Sequence, residues 1–450
     1  MKHLILGAGP AGVIAAETIR KHAPNDEIVI VGEEREAPYS RMAIPYLLMG
    51  DIEERGTHLR HGTDHYKGLN ITLRHGRAVK LDSAARQVHL DDGSALAFDR
   101  LLIATGSQPL KPPIPGADGP GVHPCWTLDD ARAIMQAAKP GARVLQMGAG
   151  FIGCIIMESL AARGVKLSVV EMGDRMVPRM MGPTAGSMIK DWCLAKGVTV
   201  YTGARVEAIE RLAPAPAGGL LSRFAAAVGL GDGNKPGDDA APMNVRLSTG
   251  QTVPADLVIS AVGVRPHIGF LEHSGVRCGV GVLTDEHLQT NVSGIYAAGD
   301  CAEAFDKVAG RAIVSAIQPN AAEQARVAAF NMVGMKTALR GVTQINVLDT
   351  LGLISASFGN WEGVAGGQQV ELTERNGRDG GRHLSLQFDA DRLVGCNAIG
   401  WTEHVGVMRG LVEGQVPLGP WKDKLLADPT LLMEAYLDCA QGQSRFAHGR

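Results

Sequence analysis

The chain lacks the usual markers of several protein classes. Its seven cysteines (Cys125, Cys154, Cys193, Cys278, Cys301, Cys396 and Cys439) are dispersed, with no CxxC pair and no metal-ligand spacing. That argues against a disulfide-stapled scaffold or a metal module, and points to reduced thiols in a reducing compartment. Aromatic residues make up only 4% of the chain, too few for a base-stacking surface. Lys and Arg number 44 against 47 Asp and Glu, a net charge of −3. No global field therefore draws the protein to nucleic acid or to an acidic membrane. No apolar run approaches the roughly 18 residues that a spanning helix needs. The expected setting is soluble and cytoplasmic, with no nucleic-acid partner, no membrane and no metal of its own.

Glycine, by contrast, is plentiful: 57 residues, with 23 prolines, in a chain of 450. Spread through a sequence of ordinary hydrophobicity, this excess signals many tight turns between strands and helices rather than disorder. The length suits about three domains.

The first turn comes at once. The apolar run His3–Leu6 leads into Gly7-Ala8-Gly9-Pro10-Ala11-Gly12, and a helical pattern follows through Val13, Ile14, Ala16 and Ile19. In strand–GxGxxG–helix units the first glycine allows the tight turn. The second lets a pyrophosphate approach the backbone, and the third lets helix and strand pack closely. The free N–H groups and positive dipole end at the helix start favour phosphate. A second strand, Glu27–Val31, ends at Gly32-Glu33-Glu34, where a carboxylate can take the hydroxyls of an adenosine ribose. The alternative is a plain tight turn, and the ordered set of strand, turn, helix, strand and acid favours the dinucleotide site.

The same unit recurs at mid-chain. Strand Arg143–Met147, turn Gly148-Ala149-Gly150-Phe151-Ile152-Gly153, a helix through Leu160 and strand Lys166–Val170 lead to Glu171. Glu171 lies about 18 residues past Gly153, close to the roughly 20 expected of a ribose acid. An acid there repels a 2′-phosphate and favours NAD(H) over NADP(H). Arg175 and Arg179 either weaken that preference or form a solvated basic edge.

Three further segments fit one family. Leu102-Ile103-Ala104-Thr105-Gly106-Ser107-Gln108-Pro109 and Ile259-Ser260-Ala261-Val262-Gly263-Val264-Arg265-Pro266 resemble the paired crossovers between FAD and NAD domains. Thr290–Asp300 is similar to the second FAD motif of the two-dinucleotide-fold flavoprotein reductases, the pyridine nucleotide-disulfide reductase superfamily. The resemblance covers residues 1 to about 335. It implies an α/β fold with two Rossmann-like domains, for FAD and NAD, and a C-terminal α+β interface domain. The expected boundaries are 1–111 and 264–335 for FAD, 112–263 for NAD and 336–450 for the interface domain. By the same resemblance Gly7, Gly9, Pro10, Ala11, Gly12, Ala104, Thr105, Gly106, Gly299 and Asp300 meet FAD, Asp300 at its ribityl and diphosphate region. Gly148, Gly150, Phe151, Ile152, Gly153, Glu171 and Gly263 would meet NAD. Pro38-Tyr39-Ser40-Arg41 resembles the PYxR of the ferredoxin- and rubredoxin-reductase branch, which implies that Arg41 contacts FAD and that Glu33 rather than Glu34 takes the ribose. Gln318–Asn320 opens the helix whose N-terminus faces the flavin in these folds, so Asn320 joins the FAD set.

Departures from the family are informative. Met42 stands where disulfide-reducing relatives carry a cysteine, so no thiolate relays electrons there. The Lys/Glu pair of ferredoxin-reductase-like members is replaced by Tyr46 and Ile155, which leaves no orphan buried charge. Tyr46 either stacks near the flavin, as the single candidate catalytic side chain, or packs as core. Glu158 reads as an ordinary exposed helix acid. These features resemble the FAD subunits that deliver electrons to NAD+ in multi-subunit enzymes such as tungsten aldehyde oxidoreductases and phenylglyoxylate dehydrogenases. The implied partner is an iron–sulfur or rubredoxin-type protein, with homo- or hetero-oligomers formed through the C-terminal domain. The rival functions are a stand-alone NADH oxidase giving peroxide, and a flavoprotein used for binding or assembly.

Two regions lie outside the motifs. Residues 213–242, mostly Ala, Gly and Pro, read as a flexible insertion. Beyond 336, strands are expected at Gln344–Ala356, Gln368–Thr373 and His383–Phe388, and helices at His404–Glu413 and Thr430–Leu437. Trp361, Trp401 and Trp421 there are core anchors or interface residues.

Overall fold

The computed structural model describes residues 1–62, 64–212, 242–342, 345–375 and 380–447, with side chains as far as Cys439. The expected insertion, apart from Pro242, lies outside the described residues.

Strand Lys2–Leu6 sits in the middle of a five-stranded parallel sheet whose order is Ile295–Ala297, Arg100–Ile103, Lys2–Leu6, Glu27–Gly32 and Ile71–His75. Apart from the edge strand Ile71–His75, exposed beyond Ile71, its strands are covered on both faces, which is why they read as unbroken apolar runs rather than as alternation. Helices Pro10–His22 and Gln318–Met332 bury one face through Ile5, Ile19, Ala325 and Ala328. The other face packs Leu4, Leu6 and Leu101 on Leu81, Val88 and Leu90 of a small antiparallel sheet, Ala78–Asp82, Gln87–Leu90 and Ala95–Ala97. The chain leaves the central strand in opposite directions toward Glu27–Gly32 and Arg100–Ile103, so the first turn opens at a switch point, where α/β sheets hold ligands.

A second sheet repeats the plan: Thr199–Thr202, Lys166–Glu171, Arg143–Met147, Leu257–Ser260 and Val122–His123, all parallel. Helices Leu128–Ala137, Phe151–Ala162 and Pro183–Ala195 cover one face. An antiparallel sheet, Val206–Arg211, Met243–Leu247 and Thr252–Ala255, covers the other. The two crossovers pair with each other as short antiparallel strands, Ser107–Pro109 and Val264–Pro266.

The third unit is a five-stranded antiparallel sheet in the order Ile345–Thr350, Leu353–Gly359, Arg392–Ile399, Arg382–Asp389 and Gln368–Glu374. Phe358, Leu384, Leu386 and Phe388 on one face meet helices Val405–Gly414, Trp421–Ala427 and Leu432–Ala447. Trp401 and Trp421 pack against this core, and Trp361 is half-buried. The opposite face buries polar side chains, among them Ser355, Ser357, Ser385 and Asn397. It meets helix Pro183–Ala195, from which Trp192 Nε1 donates to the carbonyls of Thr350 and Leu351, each at 3.1 Å.

Three local expectations change. The run 344–356 is not one strand but parts of two, broken at Leu351-Gly352, where both residues take left-handed conformations (φ +54° and +87°). Glu158 is half-buried rather than exposed, and burial, followed by the charge of Asp349, raises its carboxyl above the usual range. Short helices at Ile44–Met49 and Trp421–Ala427 were not expected. Among the described residues no helix is long and apolar enough to cross a membrane.

Candidate active site

The two glycine turns are built alike. Gly7 N donates to Val31 O and Gly148 N to Val170 O, both at 2.8 Å. Gly9 and Gly150 cap their helices at φ −78°, ψ −173° and φ −76°, ψ −170°. A Cβ on Gly12 would lie 1.9 Å from Gly7 O, and one on Gly153 would lie 2.5 Å from Gly148 O. The third glycine of each turn is therefore required by helix–strand contact. A Cβ on Gly9 or Gly150 would meet nothing within 4 Å. The protein leaves space at both middle glycines, where a phosphate would approach the helix N-terminus.

The first turn opens into a cavity of about 500 Å³. Of the expected FAD residues, Gly7, Gly9, Pro10, Ala11, Glu33, Arg41, Ala104, Thr105, Gly106, Gly299 and Asp300 line it. Gly12 is used in packing, and Asn320, buried, donates to Ser315 Oγ at 2.7 Å behind the wall. Ser40 Oγ donates to Gln318 Oε1 at 2.8 Å across two lining segments. Glu33 has Arg77 Nε and His267 Nδ1 each 3.8 Å away.

Glu34, by contrast, is engaged by the protein. It accepts from Tyr39 Oη and from Arg41 Nη2, both at 2.6 Å. Burial, then this hydrogen bond, pushes the Tyr39 phenol far above its ordinary value. The Arg41 guanidinium lies 5.0 Å from the Trp126 ring centre, and Trp126 Nε1 donates to Ser107 O at 3.2 Å. Ser107 Oγ in turn donates to Asp300 Oδ2 at 3.1 Å. Glu34, Arg41, Trp126, Ser107 and Asp300 thus form one wall. Burial raises the Asp300 carboxyl above the usual range, against the opposing pulls of Ser107 and Arg41. Trp126 carried no signal in the sequence that set it apart from a core aromatic, and Glu34 was read there only as the lesser alternative to Glu33 for the ribose, not as the partner of Tyr39 and Arg41.

Of the expected NAD residues, Phe151 and Ile152 line this same cavity, together with Ile155 and Ile156. Gly148, Gly150, Gly153, Glu171 and Gly263 do not: the first three form the second turn, Glu171 ends strand Lys166–Glu171 and Gly263 lies in the second crossover. Glu171 Oε2 accepts from Ala149 N at 2.8 Å and Oε1 from Gly173 N at 2.7 Å, so backbone groups hold the carboxylate in place. Arg175 donates to Met181 O, Pro178 O and Asp174, whereas Arg179 is exposed. Tyr46 neither stacks on the cavity nor packs as core: its side chain is 53% exposed and absent from the lining. Ile44 and Pro45, which open helix Ile44–Met49, line the cavity instead. Met42 does line the cavity, as does Cys125, whose thiol burial pushes up to about 12.

Residues 1–329 match the pyridine nucleotide-disulphide oxidoreductase family. The chain belongs to that family. It is 30% identical over 432 residues, 95% of each chain, to the epsilon subunit of an NADH-dependent phenylglyoxylate dehydrogenase from Aromatoleum evansii. It is 29% identical over 421 residues to an NADH oxidase from Methanocaldococcus jannaschii, covering 89% of this chain and 88% of that one. Its fold matches that of putidaredoxin reductase in a covalent complex with putidaredoxin at a TM-score of 0.83 and 23% identity, over 98% and 99% of the two chains. As a member of this family the protein is an FAD-dependent NAD(H) oxidoreductase. Its residues fit that role: two open glycine cradles, an acid after each second strand, and one long cavity that the second unit's helix helps to line.

Proposed function

We propose that this oxidoreductase passes hydride between NAD(H) on the 148–171 unit and FAD in the first cavity, and exchanges electrons with an iron–sulfur or rubredoxin-type protein as the NAD-reactive subunit of a larger complex. The observation that carries this is the lining of the cavity: Phe151 and Ile152, which open the helix after the second turn, face the space below the first turn. When bound, the flavin supplies hydride acceptance from a nicotinamide and release of electrons one at a time. The protein supplies alignment, with Asp300, Ser107 and Arg41 on one side and the apolar Phe151–Ile156 face excluding water on the other. The N-terminus of helix Gln318–Met332, from which Gln318 and Ala321 line the cavity, would favour negative charge on a flavin held there. No side-chain acid or base is required for the hydride step. Met42 in place of a thiol, with Cys125 held protonated by burial, leaves no thiolate relay in the cavity and favours a one-electron protein acceptor. Likeness to a named subunit supports membership in a complex, and we assign its assembly to the C-terminal unit.

Glu171 is the proposed selector of NAD(H). Arg175, spent on backbone carbonyls and Asp174, is not free for a 2′-phosphate. The test mixes the flavin-loaded protein anaerobically with NADH or NADPH and follows bleaching of the visible flavin band. Rapid bleaching by NADH and much slower bleaching by NADPH is expected, with the gap narrowed about tenfold or more in E171A. If neither nucleotide bleaches the flavin, the hydride reading falls. The likeness to an NADH oxidase favours a second reading, in which oxygen alone sustains fast NADH consumption and yields peroxide. Slow turnover with oxygen, accelerated by an iron–sulfur acceptor, separates the two.

A further inference from the structure

The loop after Glu171 is held by a residue more than two hundred positions away. Asn397, on strand Arg392–Ile399, is 2% exposed and lies on the polar face of the C-terminal sheet. Its Oδ1 accepts from Gly182 N at 2.8 Å and its Nδ2 donates to Met180 O at 3.0 Å. One amide thus engages a backbone N–H and a backbone carbonyl of the segment that leads from Glu171 into helix Pro183–Ala195.

That segment is strained. Val177, fully buried and β-branched, has φ +47°, a left-handed conformation that such residues avoid. Its N–H donates to Ala149 O at 2.9 Å, inside the second glycine turn. Its carbonyl accepts from Met180 N at 2.9 Å and Met181 N at 3.0 Å. A chain of hydrogen bonds therefore runs from Asn397 through Met180 and Val177 to Ala149, whose own N–H holds Glu171. A strained residue persists only where its surroundings over-determine it.

Given the reading that the second turn holds NAD(H), we infer that Asn397 is a positioning residue for that cofactor. It clamps the loop so that Val177 stays left-handed and the turn and Glu171 stay in register for the dinucleotide. It touches neither cofactor; the C-terminal unit sets nicotinamide affinity from behind the site.

The test titrates NAD+ into flavin-loaded N397A by calorimetry and measures NADH kinetics alongside. Expected are an NAD+ Kd and an NADH KM each raised about tenfold, kcat changed less than about twofold, and flavin content unchanged. Glycine tolerates a positive φ, so adding V177G to N397A should recover most of the lost NAD+ affinity while lowering thermal stability further. A residue that merely supports the fold would give no such recovery. Unchanged NAD+ affinity in N397A, or a further loss in the double variant, overturns the proposal. Should N397A fail to fold, hydrogen exchange in the native protein decides: the Val177 and Gly182 amides must be protected without nucleotide, and free exchange there overturns the clamp. If the native protein binds no NAD+ at all, the NAD reading itself has failed, and the exchange result still reports on the clamp alone.

Discussion

At the scale of single residues, chemically identical glycines have opposite jobs. Gly12 is fixed by the Gly7 carbonyl, whereas Gly9 faces open space. G12A should destabilise the flavin-free protein by about 1–3 kcal/mol, as overpacking does, seen in urea unfolding. G9A should leave that stability within about 0.5 kcal/mol yet weaken FAD binding about tenfold or more in a flavin titration, because the methyl enters the cradle. Asp300 makes a second contrast. Burial raises its carboxyl, so on unfolding the group ionises more readily. As pH rises from below the ordinary Asp range through the raised value, the unfolded chain releases this proton first and stability falls. D300N should therefore make the flavin-free protein more stable than the parent at about pH 7, with the gain vanishing below about pH 4, while FAD binding weakens. The two glycine turns and both acids were legible in the sequence because their spacing is imposed by the backbone. Trp126 and Asn397 were not, since each acts through partners that only the fold brings near; Glu34 was legible as a ribose candidate but not as the anchor of Tyr39 and Arg41.

At the scale of elements, the parallel sheets were legible because buried strands are written as apolar runs bounded by glycine. The hairpin at 345–359 was not. Its turn is Leu351-Gly352, and a leucine in the left-handed region does not read as a break within an apolar stretch. Helix Ile44–Met49 was missed for another reason: six residues carry too little periodicity to register. What fixes it is remote. Arg163 donates to Leu48 O at 2.9 Å, Met135 O at 2.8 Å and Ala138 O at 3.0 Å, joining this helix to the end of Leu128–Ala137. R163A leaves three carbonyls without a donor and should cost about 2–4 kcal/mol of stability in denaturant unfolding. R163K, a point donor in place of a planar fork, should recover less than half of that loss.

At the scale of the whole molecule, the first cavity takes its walls from both ends of the first unit, from the paired crossovers and from the second unit's helix. A ligand there ties together segments from Leu6 to Ala321. The flavin-loaded protein should unfold at a higher temperature than the stripped protein, its stability raised by about 4 kcal/mol at a thousandfold excess of FAD over Kd. NAD+ alone, meeting mainly the second unit, should raise the midpoint less in scanning calorimetry. The C-terminal unit was legible as alternating strands followed by helices, but its grip on the loop after Glu171 was not. Buried serines and an asparagine on a sheet face look, in sequence, like an exposed surface.

The near-identity of the two cradles has an evolutionary consequence. Because the backbone of the two turns is built alike, discrimination between two dinucleotides on the proposed reading would be written in the segments beyond each turn: Glu33 to Arg41 for one, Glu171 to Gly182 for the other. Those segments are separate in the chain, so selection can revise one preference while leaving the other intact. A lineage built on this scaffold is free to trade its nicotinamide cofactor without relearning how to hold its flavin.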